Sequence, residues 1–228
     1  MTAFALVHGG WHGGWCWELV QAELLARGHT AVAPDLPITD PAAGAVAYAD
    51  AVLAALPAAG DTDVVLVAHS LAGLVAPLVA AAAPVRRVVY LAAMLPEPGR
   101  SVDERARAGQ RMTRRGIGRG QTVNEDGSTS FLPAAAAELL YPDSPPERAA
   151  QAVARLRPQH WRITSEPGPV AAGTATPATY VLCTEDRIID TDWARATVPG
   201  RAELVELRGD HCPFLARPAE LADLLESA

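Results

Sequence analysis

Hydrophobic residues fall along this chain in two alternating patterns. Short, unbroken apolar runs occur at Phe4–Val7, Thr30–Ala33, Val64–Val67, Val88–Ala92, Tyr180–Cys183 and Leu204–Leu207. Continuous runs of this length suit strands buried on both faces, as in a parallel sheet. Between them lie longer stretches with helical spacing, at Trp15–Arg27, Ala45–Leu56, Leu71–Ala83, Asp192–Thr197 and Pro218–Glu226. The repeated order strand, helix, strand predicts an α/β fold, a mainly parallel six-stranded sheet with helices on both faces. Pro77 stands inside the third helical stretch and predicts a kink there. The alternation stops between about residues 100 and 177, where no convincing strand is visible. Helical patterns return at Pro133–Leu140 and Pro146–Arg155. A structureless loop of this length is improbable in a compact domain. The expectation is one domain, with a core formed by 1–99 and 178–228 and a helical cap inserted over 100–177.

Composition narrows the class. The chain has 228 residues, 50% hydrophobic and 20% charged, which argues against disorder and coiled coil. Its formal charge is −7, from 26 acids and 19 bases, and every base is arginine because lysine is absent. An acidic chain without a basic excess points away from nucleic acid. The longest apolar stretch, Leu71–Val85, is shorter than the ~20 residues of a membrane span and contains Pro77 and Pro84. Cys16, Cys183 and Cys212 are too few and too scattered for a disulfide framework or a metal knuckle, and are expected as free thiols. A soluble cytoplasmic protein follows as the expectation, with no membrane partner and no metal. A homodimer stays open.

The sharpest chemical signal is V-V-L-V-A-H-S-L-A-G, Val64 to Gly73. An apolar strand runs into Ser70 and a helix begins immediately afterwards, the setting of a nucleophile elbow that lifts a serine hydroxyl clear of the sheet. Such a turn needs small residues two before and two after the serine, here Ala68 and Ala72. A serine nucleophile requires a base, and the base an orienting acid. His211, in R-G-D-H-C-P-F, follows the last strand, and Asp186, in C-T-E-D-R, follows the preceding one. Glu185 is the rival acid; Asp210 adjoins His211 too closely to reach round to its ring. The order Ser, Asp, His, each at the carboxyl end of a strand, matches a hydrolase triad. Backbone N–H groups must also face the developing oxyanion. Leu71, opening the helix, and Gly10, in H-G-G-W-H-G-G-W, are the candidates.

That glycine-rich loop, followed by Asp35, superficially suggests a dinucleotide site. The spacing G-x-G-x-x-G is missing, and Trp11 and His12 occupy the place of the phosphates. Asp35 is better read as a loop cap, and no cofactor is called for. Trp11, His12 and Trp15 are instead candidates for the mouth of a substrate pocket, with packing between loop and helix the alternative for the tryptophans.

Taken together, V-H-G-G-W-H-G-G-W-C-W, A-H-S-L-A-G, L-A-A-M-L-P, C-T-E-D-R and G-D-H-C-P-F resemble the α/β-hydrolase superfamily, in its branch of plant methylesterases and hydroxynitrile lyases. The resemblance runs from Phe4 to Phe214 and is weak in the cap. It implies the α/β-hydrolase fold, a triad of Ser70, Asp186 and His211, and oxyanion donors at Gly10 and Leu71. The alanines beside Ser70 depart from that branch's G-H-S-L-G-G. Its lyases place a lysine directly after the histidine to hold departing cyanide, and a threonine after the first histidine of the oxyanion loop. Cys212 and Gly9 stand there instead, which disfavours that lyase chemistry. Hydrolysis of a small carboxylic ester is the expectation. A non-hydrolytic lyase, cyclase or acyltransferase on the same triad, or a ligand-binding protein on this fold, is the alternative. Between Arg100 and Gly120 there are seven arginines against Asp103 and Glu104. They form either a solvated face or a patch that steers an anionic substrate, or an acidic carrier protein, to the site.

Overall fold

The computed structural model describes residues 1–57, 64–169 and 176–227. In chain order, the first part contains β1 (Ala3–Val7), α1 (Glu18–Ala26), β2 (Thr30–Val32), α2 (Ala45–Ala55), β3 (Val64–His69), α3 (Ala76–Ala82) and β4 (Val85–Leu91). An inserted segment follows, with α4 (Val102–Arg107), β5 (Gln121–Val123), β6 (Thr129–Phe131), α5 (Pro133–Leu140), α6 (Pro146–Ala154) and α7 (Arg162–Ser165). The chain then returns to β7 (Ala178–Cys183), α8 (Thr191–Thr197), β8 (Glu203–Leu207), α9 (Pro213–Ala216) and α10 (Pro218–Ser227).

The six long-range strands form one parallel sheet in the order β2-β1-β3-β4-β7-β8. Their unbroken apolar character follows from burial on both faces. Alternate residues point opposite ways, so Phe4 and Leu6 pack with α1 and α10, while Ala3, Ala5 and Val7 pack with α2 and α3. Likewise Val65 and Val67 face the first layer, and Val64 and Leu66 the second. At the far side of the sheet, Tyr180 and Leu182 of β7 cover Ala194 of α8 and Val198 just after it. Because all six strands run the same way, every strand-to-helix turn that could hold a reacting group lies along one edge of the sheet.

Two local expectations change. Pro77 does not kink a continuous helix: Ser70–Leu74 is a tight 3-10 turn, and α3 starts afresh at Ala76 with Pro77 in its first turn. There a missing N–H costs nothing, because first-turn amides have no intrahelical acceptor. The inserted segment is also not purely helical, since β5 and β6 form an antiparallel hairpin. Its strands are three residues each and partly polar, too short for an alternation to stand out. Its helices α5 and α6 lie where their spacing predicts them. Of the insertion expected over 100–177, residues 170–175 lie outside the described part. No described helix is long and apolar enough to cross a membrane.

Candidate active site

The carboxyl edge of the sheet collects the chemistry. Ser70 directly follows β3 with φ +53°, a left-handed conformation rare for a residue with a side chain. Such strain costs on the order of 1–3 kcal/mol and persists only where the surroundings impose it. Here the Ser70 carbonyl accepts a hydrogen bond from the Met94 amide at 2.9 Å. Ala68 and Ala72 are both fully buried beside the turn, so methyl groups fit at these two positions. The position with no room is Gly73, where an added Cβ would collide with the Met94 carbonyl oxygen.

The three side chains expected to act together do meet. His211 Nε2 lies 3.0 Å from Ser70 Oγ, and His211 Nδ1 lies 2.8 Å from Asp186 Oδ2. The other oxygen, Asp186 Oδ1, accepts the amides of Ile188 at 2.6 Å and Ile189 at 2.9 Å. Two backbone donors thus fix the carboxylate's rotation and leave Oδ2 for the imidazole. With Nδ1–H directed at the carboxylate, Nε2 carries the lone pair that faces the serine hydroxyl. Glu185 turns outward to Arg208 at 3.2 Å and takes no part. Asp210 accepts from the amides of Asp143 and Cys212, and so shapes the loop around His211 without touching its ring.

Gly10 and Leu71 both line a cavity of about 270 Å³ that opens at Ser70. Leu71 is the second residue of the turn after β3, where amides have no helical acceptor. The approach of the β1 loop depends on Gly9, since an added Cβ would lie 2.7 Å from Ser70 Cβ and 2.9 Å from His69 Nδ1. A threonine at position 9 has no space in this backbone.

Trp11 lines the cavity, with φ +61°, its indole N–H donating to the Thr129 carbonyl at 3.1 Å. His12 sits behind the loop and outside the cavity lining. Its Nδ1–H donates to the Gly10 carbonyl at 2.7 Å and its Nε2 accepts from the Tyr141 hydroxyl at 2.7 Å. Trp15 stacks on His12 and lies beneath the Arg155 guanidinium, away from Ser70. Asp35 accepts the Gly14 amide at 2.9 Å, a loop cap. All three cysteines are buried and free, and burial pushes each thiol up, so Cys212 beside His211 is an inert neighbour.

Three buried histidines surround the site in neutral form. Burial pulls His8 down to about 4 and His12 to about 3, and takes His69 well below the ordinary imidazole range. His69 Nε2–H donates to the His211 carbonyl at 2.9 Å, tying the histidine loop to the elbow. Trp161 and Met94 also line the cavity. Nothing in their local spacing announces them, because Trp161 reaches the cavity by packing on the distant Trp11, and Met94 lies beyond the crossover from β3 to β4.

Comparison with known proteins identifies the family. Residues 4–224 match the model of the alpha/beta hydrolase family. This chain belongs to the alpha/beta hydrolase family. Methylesterase 9 of Arabidopsis thaliana is 30% identical over 249 residues, covering 99% of this chain and 97% of that protein. Methylesterase 7 of the same plant is 29% identical over 246 residues, covering 97% and 94%. Among solved structures, a pyrethroid hydrolase from Sphingobium faniae JZ-2 superposes with a TM-score of 0.84 at 23% identity, covering 99% of this chain and 96% of that one. Within the alpha/beta hydrolase family, the chain thus falls in the methylesterase-like branch.

Proposed function

We propose that this alpha/beta hydrolase is a carboxylesterase that cleaves a small ester through Ser70, with His211 as base and Asp186 as its orienting acid. The observation that carries the reading is the unbroken relay Asp186–His211–Ser70, with both hydrogen bonds at 3.0 Å or less, opening into a cavity beside Gly10 and Leu71. The methylesterase relatives add a methyl ester as the alcohol part, and a cavity of about 270 Å³ suits a small acyl group.

The steps follow from the geometry. Ser70 Oγ attacks the ester carbonyl as its proton passes to His211 Nε2, and Asp186 stabilises the resulting imidazolium. The carbonyl oxygen becomes an oxyanion facing the Gly10 and Leu71 amides. The tetrahedral adduct collapses by breaking the C–O bond to the alcohol, which leaves with the proton from His211. Water then adds to the acyl-serine with His211 again as base, releasing the carboxylic acid and restoring Ser70. The absence of room for a side chain at Gly9, and Cys212 in place of a cation after His211, favour hydrolysis over cyanohydrin cleavage.

Turnover of p-nitrophenyl acetate by the wild type and by Ser70→Ala tests the proposal. Loss of Ser70 should lower kcat by a factor on the order of 10³ or more, and an acetyl group should be trapped on Ser70 in the wild type. Equal turnover by a folded Ser70→Ala variant would overturn it and return weight to the lyase, cyclase, acyltransferase or binding alternatives.

A further inference from the structure

The arginine-rich stretch divides into two groups when its contacts are followed. Arg100 and Arg105 are structural: both pair with Glu97, and Arg105, almost fully buried, also donates to the Leu95 carbonyl at 2.7 Å. Arg107, Arg111, Arg114, Arg115 and Arg119 have no carboxylate within 4.0 Å among the described residues. Of these five, only Arg111 and Arg114 line the cavity that opens at Ser70. No other charged side chain among the described residues lines it, and none of its lining residues is acidic.

Their backbone is not a free loop. The Arg114 amide donates to the Ile188 carbonyl at 2.9 Å, and the Asp190 amide donates to the Met112 carbonyl at 2.9 Å. Thr113 and Ile189 form an antiparallel bridge, and the Met112 side chain between the two arginines is buried. The partner segment, Ile188 to Asp190, is the one whose amides hold Asp186. Residues 112–114 are therefore fastened through their backbone to the loop that carries the orienting acid, and the exposed side chains of Arg111 and Arg114 start from that fixed segment, with Arg114 donating to Thr191 Oγ1 at 3.4 Å. The rest of the cavity wall is largely apolar, from Trp11, Leu71, Met94, Trp161 and Ile188. A planar guanidinium with several parallel donors is matched in geometry to a carboxylate.

We infer that the ester substrate is itself an anion, a half-ester of a dicarboxylic acid, whose free carboxylate is held by Arg111 and Arg114 while its ester carbonyl meets Ser70. This rests on the ester-hydrolase reading above and adds the substrate class to it. On an acidic protein, two cations without a carboxylate partner among the described residues also give the incoming anion a favourable local field. A phosphate-bearing ester shares the relevant chemistry, and an acidic carrier protein would use the same charges from outside.

The test compares mono-p-nitrophenyl glutarate with p-nitrophenyl valerate, nearly matched in length and differing in the terminal carboxylate. The readout is the ratio of their kcat/KM values. In the wild type the ratio should favour the glutarate by a factor of about ten or more, expressed in KM. In Arg111→Gln/Arg114→Gln that preference should disappear. In Arg107→Gln/Arg119→Gln, which removes the same net charge outside the cavity, the ratio should stay. Equal use of the two esters by the wild type, or equal loss in both double variants, would overturn the inference; equal loss would mean a diffuse surface field of the kind a carrier protein could read. A p-nitrophenyl ester ending in a phosphate separates the anions, and preference for it over glutarate would overturn the carboxylate assignment. Failure of the ester reading is distinguishable, because it leaves no Ser70-dependent turnover of either ester. In that case, tighter binding of monomethyl glutarate to Ser70→Ala than to the same protein carrying Arg111→Gln/Arg114→Gln still supports the anion site, and equal binding overturns it.

Discussion

Asp186 has its two oxygens committed to different tasks. Oδ1 holds two backbone amides and Oδ2 faces His211 Nδ1. In Asp186→Asn the amide oxygen is retained by Ile188 and Ile189, so the new NH2 group must turn toward His211. Its two hydrogens cannot accept from Nδ1–H, and the imidazole moves its proton to Nε2. That nitrogen can then no longer take the proton of Ser70. The expected result is a fall in kcat on the order of 10⁴-fold, with the thermal midpoint within about 4 °C of wild type. Steady-state kinetics and a melting curve on the same preparation check both. A fall of less than tenfold in a folded variant would mean that Asp186 does not set the tautomer.

Between elements, the critical join is the one that ties the insertion to the loop after β1. Tyr141, just after α5, donates to His12 Nε2, and His12 Nδ1–H in turn holds the Gly10 carbonyl. Gln159 accepts the Trp11 amide, and the Arg157 side chain donates to the His12 carbonyl at 2.7 Å. The orientation of the Gly10 peptide is thus decided by residues more than a hundred positions away. Tyr141→Phe removes one hydroxyl and leaves the buried His12 Nε2 with only the weak Cys212 thiol donor at 3.8 Å, at a cost of about 1 kcal/mol. Turnover should fall several-fold through kcat rather than KM, since the loosened group is an oxyanion donor and not a wall of the cavity. Kinetics paired with urea unfolding would check this, and a change in KM alone would contradict it. This scale also explains what the chain makes legible. Ser70, Asp186 and His211 can be found because each stands at a boundary between a strand and the turn after it, a purely local pattern. Helices α5 and α6 announce themselves in the same way, each opening on a proline. The hairpin of β5 and β6 leaves only a turn signal at Asp126–Gly127, with strands too short to register. Trp161 at the cavity, His12 behind it, and the separation of Arg111 and Arg114 from the other arginines depend on long-range packing, which spacing does not carry.

Across the whole molecule, the burial of three neutral histidines beneath one loop links stability to pH. His8 accepts the Leu36 amide on Nε2 at 2.9 Å and donates from Nδ1 to the Gly9 carbonyl at 2.8 Å, so its ring has no place for a second proton. His12 is occupied in the same way by Tyr141 and Gly10. Burial holds His8 at about 4 and His12 at about 3, and His69 also lies well below its ordinary value. In the unfolded chain each would titrate near 6.5. Above that pH both states leave the three rings neutral, and this contribution to stability is fully present. As pH falls below it, the unfolded chain binds protons that the folded chain refuses, so stability declines until the folded rings themselves titrate. With three such groups the slope approaches about 4 kcal/mol per pH unit at its steepest. Urea midpoints should therefore fall already between pH 6.5 and pH 5, above the range where carboxylates of the unfolded chain are mostly protonated. Esterase activity should vanish along the same curve and return on neutralisation, because His8 and His12 support the loop that carries Gly10. Midpoints that stay level from pH 7 to pH 5 would show that the imidazoles reach water, and would remove the reason for treating the loop as a rigid oxyanion support.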